Sequence, residues 1–341
     1  ARDAEARGAR VLTRTRVTGA ERAGDHWRIT LDRDGTEEVV EAKALVNAGG
    51  PWVADIVQGV IRQNSRENVR LVRGSHVVVP RVAEHEKCYF FQGADGRIIF
   101  AIPYETDFTL IGTTDEEHHD DPRAAACTPA ERDYLLDFAN QYFREALTAD
   151  DVVWTYSGVR PLYDDGATSA TAATRDYVLS VDESGPVLLN VFGGKITTYR
   201  KLAEDAWDRL APHFPGMRGH WTAGVPLPGG DFAVDGVEGL IAGLRAAHPF
   251  LSERWATRLV RAYGTEAARI LDGANRAEDL GRDFGATLTE AELRWLMRHE
   301  YARRADDVVW RRSKLGLRLT ADQVAAIDAF MQAEAPALAA G

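Results

Sequence analysis

Cysteine is nearly absent from this 341-residue chain: Cys88 and Cys127 stand far apart and in no CxxC pattern. That excludes a disulfide framework and a zinc–cysteine site, and it fits a reducing compartment. No apolar run is long enough to cross a membrane as a helix and no signal peptide is read, so the membrane relation left open is peripheral attachment. Positive charge is in deficit, with 41 Lys and Arg against 52 Asp and Glu for a net −11, which argues against nucleic acid as a main partner. Repeats and low-complexity tracts are missing too. What is present is an apolar fraction of 45%, enough for a globular core, in a chain long enough for two domains or one large domain with an appendage.

Strand signals fill the first two thirds. Residues 11–48 read as β in three runs (VLTRTRV, WRITL, EEVVEAKALVNA) with an Asp34-Gly35 turn, and Ala44 to Ala48 runs into Gly49-Gly50-Pro51-Trp52. Residues 69–115 and 152–192 are again strand-rich, the former with a turn at Asp95-Gly96. Between them, Thr128-Pro129-Ala130-Glu131 predicts a capping box opening a helix that runs to about Arg144. PHFPG and PLPGG mark a linker around 212–230, and helical patterns follow, with further capping boxes at Thr289/Glu292 and Thr320/Gln323. The pattern predicts an α+β chain with mixed sheets up to about residue 212, two interleaved domains within it, and then a separate helical domain.

The segment Val187 to Leu210 carries the most chemistry. An apolar strand meets Gly193-Gly194, and a helix is expected to open at Lys195, with apolar residues at Ile196, Tyr199, Ala203, Ala206, Trp207 and Leu210. Glycines between a strand and a helix let backbone approach a ligand, and free N–H groups beside a lysine suit an electron-rich group. Ala48-Gly49-Gly50-Pro51-Trp52 is a second strand end of the same kind, and two such ends suggest two edges of one crevice, against the alternative of two ordinary turns. Arg160 and Arg175 lie beside strand ends and have the planar fork that suits phosphate, though a surface role is the commoner fate of an arginine. His76 sits in an apolar strand, where packing competes with service as a base near neutral pH. The acidic run DEEHHDD (115–121) lacks spaced ligands and reads as a solvated loop, so no metal site is expected. The basic run Arg303-Arg304 with Arg311-Arg312-Ser313-Lys314 reads as a solvated face beside Asp306 and Asp307 rather than a lipid-facing one.

Taken in order, VNAGGPWV (46–53), LVRGSHVVVPR (71–81), DGRIIFAIPYETDFTLIGTTD (95–115), YSGVRPLYDD (156–165), TRDYVL (174–179) and VFGGKITTYRKLAE (191–204) resemble the FAD-dependent glycerol-3-phosphate dehydrogenase family, and RRSKLGL (311–317) is similar to that family's C-terminal domain. The resemblance implies the remainder of an FAD-binding domain of the glutathione-reductase/amino-acid-oxidase-like type (1–58 and 186–212), interleaved with an antiparallel-sheet substrate domain (59–185) and followed by an all-α domain (213–341). It implies FAD held by Ala48, Gly49, Gly50, Trp52, Gly193, Gly194, Lys195 and Thr197. It further implies oxidation of sn-glycerol 3-phosphate to dihydroxyacetone phosphate, with His76 as base, Arg160 and Arg175 on the phosphate, and Lys195 and Arg160 assisting catalysis. Electrons would pass to a membrane quinone, in the cytoplasm at the inner face of the membrane, and a homodimer is compatible with it.

The chain departs from the resemblance at its start: it contains no GxGxxG, the unit that holds the FAD pyrophosphate, nor the early acidic residue expected on the adenosine ribose, nor the family's N-terminal substrate contacts. With Ala1–Arg10 reading as the end of a helix, the expectation is a carboxyl-terminal portion with little FAD affinity and no activity alone. The competing readings are a glycerol-3-phosphate oxidase handing electrons to oxygen, a flavin oxidase of amino or hydroxy acids, and a non-catalytic partner-binding module derived from the enzyme.

Overall fold

The computed structural model describes residues 1–93, 96–166 and 174–339, so Asp95 of the expected Asp95-Gly96 turn lies outside the described residues. The chain divides into two units, Arg14–Thr222 and a second made of Ala223–Gly341 with Ala1–Thr13. The helix end expected at the start is the short α1 (Arg2–Ala6).

In the Arg14–Thr222 unit, β1 (Arg16–Ala23), β2 (His26–Arg33) and β3 (Thr36–Ala42) form an antiparallel meander. β1 begins later than its apolar run suggests because Arg14 adopts a φ of 56°, which an extended strand cannot include. Asp34 and Gly35 both take positive φ, as a two-residue hairpin of the primed type requires. β4 (Ala44–Asn47) ends at the first glycine pair. A single turn (Gly50–Trp52), α2 (Val53–Asp55) and a wide helical turn (Ile56–Val60) follow, none of them evident from the sequence pattern.

The largest sheet contains β5 (Val69–Pro80), β6 (Tyr89–Gln92), β7 (Ile98–Tyr104), β8 (Phe108–Gly112) and β9 (Glu116–Glu117). Helix α3 (Pro129–Asn140) packs on one face of it, and β10 (Trp154–Tyr163) completes the order β10-β5-β8-β7-β6, with β9 also on β5. Period-2 alternation sends Val77 and Val79 of β5, Ile99 and Ala101 of β7 and Ile111 of β8 onto Leu135, Leu136, Phe138 and Ala139 of α3. Their strand neighbours therefore face the opposite side. The α3 capping box forms as expected, Thr128 Oγ1 accepting from Glu131 N and Glu131 Oε2 from Thr128 N. The helix stops at Asn140, short of Arg144, because the Asn140 amide bonds both backbone groups of Leu147 and turns the chain away.

β11 (Tyr177–Asp182) and β12 (Val187–Gly193) join β4 in a third sheet of order β11-β12-β4, with β12 parallel to β4. All of β12 but its last residue is buried. Helix α4 (Tyr199–Leu210) covers it through Ala206, Trp207 and Leu210. The expected helix start at Lys195 is corrected: Lys195 is extended (φ −121°, ψ 149°), Ile196–Thr198 form a single tight turn, and α-helix begins only at Tyr199. Three consecutive β-branched residues disfavour α-helix there. Consequently Ile196, Tyr199 and Ala203, placed by periodicity on the buried face, are exposed.

The second unit is helical: α5 (Val237–Ala247), α6 (Glu253–Tyr263), α7 (Ala267–Ile270), α8 (Glu290–His299) and α9 (Ala321–Ala339). They share a core that includes Leu259, Leu271, Leu288, Leu293, Leu296 and Met331. The Thr320/Gln323 capping box forms. The one expected at Thr289/Glu292 does not, because the Glu292 carboxylate is drawn inward to Arg258 and Tyr263.

Candidate active site

Two of the expected residues meet on the face of the large sheet that points away from α3. His76 on β5 lies opposite Tyr156 on β10, and the two rings stack with centroids 4.7 Å apart and 4° between planes. On its other side His76 pairs with Gly112 of β8, where a Cβ would come within 2.1 Å of the imidazole Cδ2. Arg160, four residues along β10 from Tyr156, extends over Gly74, where a Cβ would stand 2.4 Å from its Nη2. Two missing side chains thus make room for the imidazole and the guanidinium.

Arg160 is held rather than free. Its Nη1 donates to Asp115 Oδ1 at 2.7 Å and its Nη2 to Thr113 Oγ1 at 3.2 Å. This corrects the first part of the reading of residues 115–121 as a solvated loop: Asp115 clamps the arginine, Glu116 and Glu117 form β9, and His118 is buried with its backbone N–H bonded to Leu71 O, while His119, Asp120 and Asp121 are exposed as expected. Among the described residues no cluster of three His, Cys, Asp or Glu side chains is placed to hold a metal ion.

Burial, and then the charge of Arg160, push the His76 pKa down to about 4. Its Nδ1 is buried without a hydrogen-bond partner, as a neutral ring in a desolvated place tolerates better than a cation. The sign for stability follows. An unfolded chain binds this proton near 6.5 and the folded one only near 4, so stability is full above 6.5 and declines as pH falls toward 4. The loss assigned to His76 is about 2–3 kcal/mol. It is checked by comparing urea midpoints at pH 7 and pH 4 for wild type and His76→Gln; equal losses in the two proteins would mean the imidazole is not desolvated.

The glycine pairs form a second group in the same unit. β4 and β12 are parallel neighbours, so their carboxyl ends lie side by side, with Asn47 opposite Asn190. Asn47 Nδ2 donates to Asn190 Oδ1 and to Val53 O, both at 3.0 Å, while Asn47 Oδ1 accepts from Gly49 N at 3.2 Å. Gly50, Gly193 and Gly194 take φ of 56°, 76° and 97°, and a Cβ on Gly193 would meet Asp176 O at 2.8 Å and Tyr163 N at 3.2 Å. Tyr163 is the last residue of β10, so the strand carrying Arg160 runs alongside both glycine ends. Ala48, Trp52, Lys195 and Thr197 are exposed beside them. Arg175 is exposed just before β11, whose first residue Tyr177 pairs with Gly193. It therefore accompanies the glycine pair rather than the Asp115 clamp. A cleft of about 390 Å³ lined by Tyr177, Leu179, Asp205, Asp208 and Arg209 contains none of the expected site residues.

The sequence reading did not single out Asn47, Asn190, Tyr156, Asp115 or Gly112. The asparagines had a signal: each precedes its glycine pair within a few residues, in VNAGG and LNVFGG. Tyr156 and Gly112 depend on strand register, which no local pattern discloses.

Parallel strands ending in glycine turns, next to an antiparallel sheet that presents an uncharged imidazole and a clamped guanidinium, define a two-part site of the cofactor-plus-substrate kind. Comparison with known proteins gives that class its family. The chain belongs to the FAD dependent oxidoreductase family, matched over residues 1–200, and residues 220–339 match the C-terminal domain of alpha-glycerophosphate oxidase. It is 45% identical over 332 residues to a glycerol-3-phosphate dehydrogenase of Pseudomonas aeruginosa, covering 96% of this chain and 65% of that protein. It is 45% identical over 330 residues to the aerobic glycerol-3-phosphate dehydrogenase of Escherichia coli (95% and 66%), and 43% identical over 328 residues to a D-erythritol 1-phosphate dehydrogenase of Brucella abortus (95% and 65%). The chain thus spans about two thirds of the length of these curated relatives. Among solved structures, the glycerol-3-phosphate dehydrogenase of Bacillus halodurans complexed with FAD matches with a TM-score of 0.78 at 26% identity, covering 98% of this chain and 70% of that one.

The residues present fit the ring end of FAD. The backbone is bare at Gly50, where nothing lies within 4 Å of a would-be Cβ, and Lys195 and Thr197 stand exposed at the start of the turn that leads into α4. The first N–H groups of such a turn have no intrahelical partner and suit the electron-rich edge of a flavin.

Proposed function

We propose that this chain supplies the flavin-ring and substrate sides of an enzyme that oxidises sn-glycerol 3-phosphate to dihydroxyacetone phosphate and passes the electrons to a quinone. The observation that carries the reading is the pairing of His76 and Arg160 on one sheet face, beside a strand that also borders both glycine turns. FAD, when bound, supplies the two-electron acceptor for the hydride that leaves C2. His76 is uncharged at neutral pH and so can take the C2 hydroxyl proton, although its pKa of about 4 makes it a weaker base than the near-neutral one expected from the sequence. Stacking on Tyr156 and the close approach of Gly112 fix the plane of its ring. Arg160, oriented by Asp115 and Thr113, binds the phosphate; Arg175, exposed beside the Gly193 turn, is assigned to it only as an outer anchor that a substrate lying between the two groups would reach. Lys195 stabilises the negative charge that develops on the C2 oxygen as its proton leaves, before loss of the hydride turns that oxygen into the carbonyl.

The similarity to both glycerol- and erythritol-phosphate dehydrogenases supports a phosphorylated polyol as the substrate class, and the greater number of glycerol-3-phosphate relatives favours the shorter one. With a quinone as acceptor, our reading sets the reaction at a membrane surface through peripheral contact, and the cytoplasmic face is part of the same proposal. In the full-length enzyme with FAD, we expect quinone reduction with glycerol 3-phosphate and none with glycerol. Equal rates on both would defeat the phosphate reading, a preference for D-erythritol 1-phosphate would lengthen the substrate, and oxygen uptake without quinone would replace the acceptor.

A further inference from the structure

Behind the His76–Arg160 face, on the α3 side of the same sheet, lies a carboxylate that the mechanism above does not use. Glu131 is buried at 6% exposure. Its Oε1 accepts from Ser75 Oγ and Thr114 Oγ1, each at 2.8 Å, and from Arg73 Nε at 3.3 Å. Its Oε2 accepts from Thr128 N and Oγ1, at 3.0 and 2.9 Å, and pairs with Arg73 Nη2 at 3.0 Å. Thr114 Oγ1 in turn accepts from Ser75 N at 2.9 Å, and Ser75 Oγ is 2.7 Å from Ser157 Oγ. Burial opposes the charge on Glu131, but these donors outweigh it and hold the pKa down to about 2.

Each spoke of this hub has a functional neighbour one residue away. Ser75 precedes His76, Ser157 follows Tyr156, and Thr114 lies between Thr113 and Asp115, the two residues that clamp Arg160. Alternate residues of β5 and β10 face opposite sides, so a carboxylate that fixes Ser75, and Ser157 through it, from behind also fixes what their neighbours present in front. Thr114, just beyond β8, ties the Thr113–Asp115 segment to the same carboxylate. A helix cap alone needs only the Thr128 bonds. The three bonds into the sheet exceed that need.

We infer that Glu131 is a positioning residue, which sets the His76 ring and the Arg160 clamp from the far side of the sheet. This rests on the function proposed above. Its spokes separate two effects. Ser75→Ala slackens the His76 side and is expected to lower kcat, and Thr114→Val slackens the clamp and raises KM for glycerol 3-phosphate. Glu131→Gln does both, each by about tenfold, the scale of one hydrogen bond to a charged group.

The test uses the full-length FAD enzyme. Thr128→Ala is the structural control, since it weakens the cap while leaving Ser75 and Thr114 bonded to the carboxylate; it should lower Tm with kcat and KM unmoved. A second readout does not depend on the substrate: the imidazole NMR signals of His76 in the substrate-free enzyme should shift in Glu131→Gln and Ser75→Ala and stay in place in Thr128→Ala. Signals that move in none of the variants, or equally in all three, overturn the inference. Signals that move as expected while kinetics on glycerol 3-phosphate do not change uphold the positioning role and defeat the substrate assignment instead.

Discussion

Gly112→Ala should cost the full-length enzyme as much turnover as His76→Ala, roughly 10²–10⁴-fold, the usual worth of a positioned general base. The methyl group would enter the imidazole at 2.1 Å. The ring cannot swing toward β10, because Tyr156 is stacked against its other side. Gly74→Ala is the informative contrast. Its methyl group meets the end of the Arg160 side chain, at 2.4 Å from Nη2, and Thr113 Oγ1 at 2.7 Å, so relief means breaking the Arg160–Thr113 bond and displacing the guanidinium rather than the imidazole. That variant should keep its fold and much of its kcat while KM for the phosphate ester rises. Gly19→Ala on β1 serves as the tolerated control, with Thr30 Oγ1 at an ordinary 3.7 Å. Steady-state kinetics with thermal melts decide the matter. If Gly112→Ala turned over normally with an unchanged melt, the imidazole would not be confined as described and its assignment as base would fall.

Glu292→Ala is expected to destabilise the helical unit by about 3–5 kcal/mol, the cost of leaving a buried charge without its counter-ion. The Glu292 side chain is 2% exposed; it takes two bonds from Arg258, at 2.7 and 2.6 Å, and one from Tyr263 Oη at 2.7 Å. Tyr263 is itself buried, and burial with the carboxylate beside it holds its pKa well above the ordinary range. The double variant Arg258→Met/Glu292→Met should recover most of the loss, because an apolar pair of similar volume avoids the desolvation of two charges. Urea denaturation followed at the helical unit's tryptophans measures both. A single variant as stable as wild type would mean that water reaches the pair.

The same glutamate illustrates what can be read from a sequence. Thr289-x-x-Glu292 has the spacing of a capping box, and so does Thr320-x-x-Gln323, yet only the second forms one. Arg258 and Tyr263, some thirty residues upstream, compete for the first carboxylate, and local spacing carries no information about them. The glycine-rich strand ends, the helix cap at Thr128 and most strands were legible because each is a short-range signal of backbone conformation. His76 and Arg160 were legible as chemically apt residues, but their shared sheet face is a product of strand register, and Asp115 was hidden inside an acidic run that looked solvated. Glu131 was visible as a cap residue only; its hold on Ser75 and Thr114 needed the fold. Helix α4 starts later than its apolar period implies because the β-branched run Ile196-Thr197-Thr198 disfavours α-helix.

The amide bridge between Asn47 and Asn190 has a consequence for how tightly a flat ring can be held. One side chain bonds the neighbouring strand, the Gly49 turn and the first residue of α2. The two turns that border the crevice are therefore not independent loops to be ordered one after the other when a ligand arrives. Their entropy is largely spent at folding, so binding begins from a preorganised cradle, and loosening the bridge should appear first as faster ligand escape.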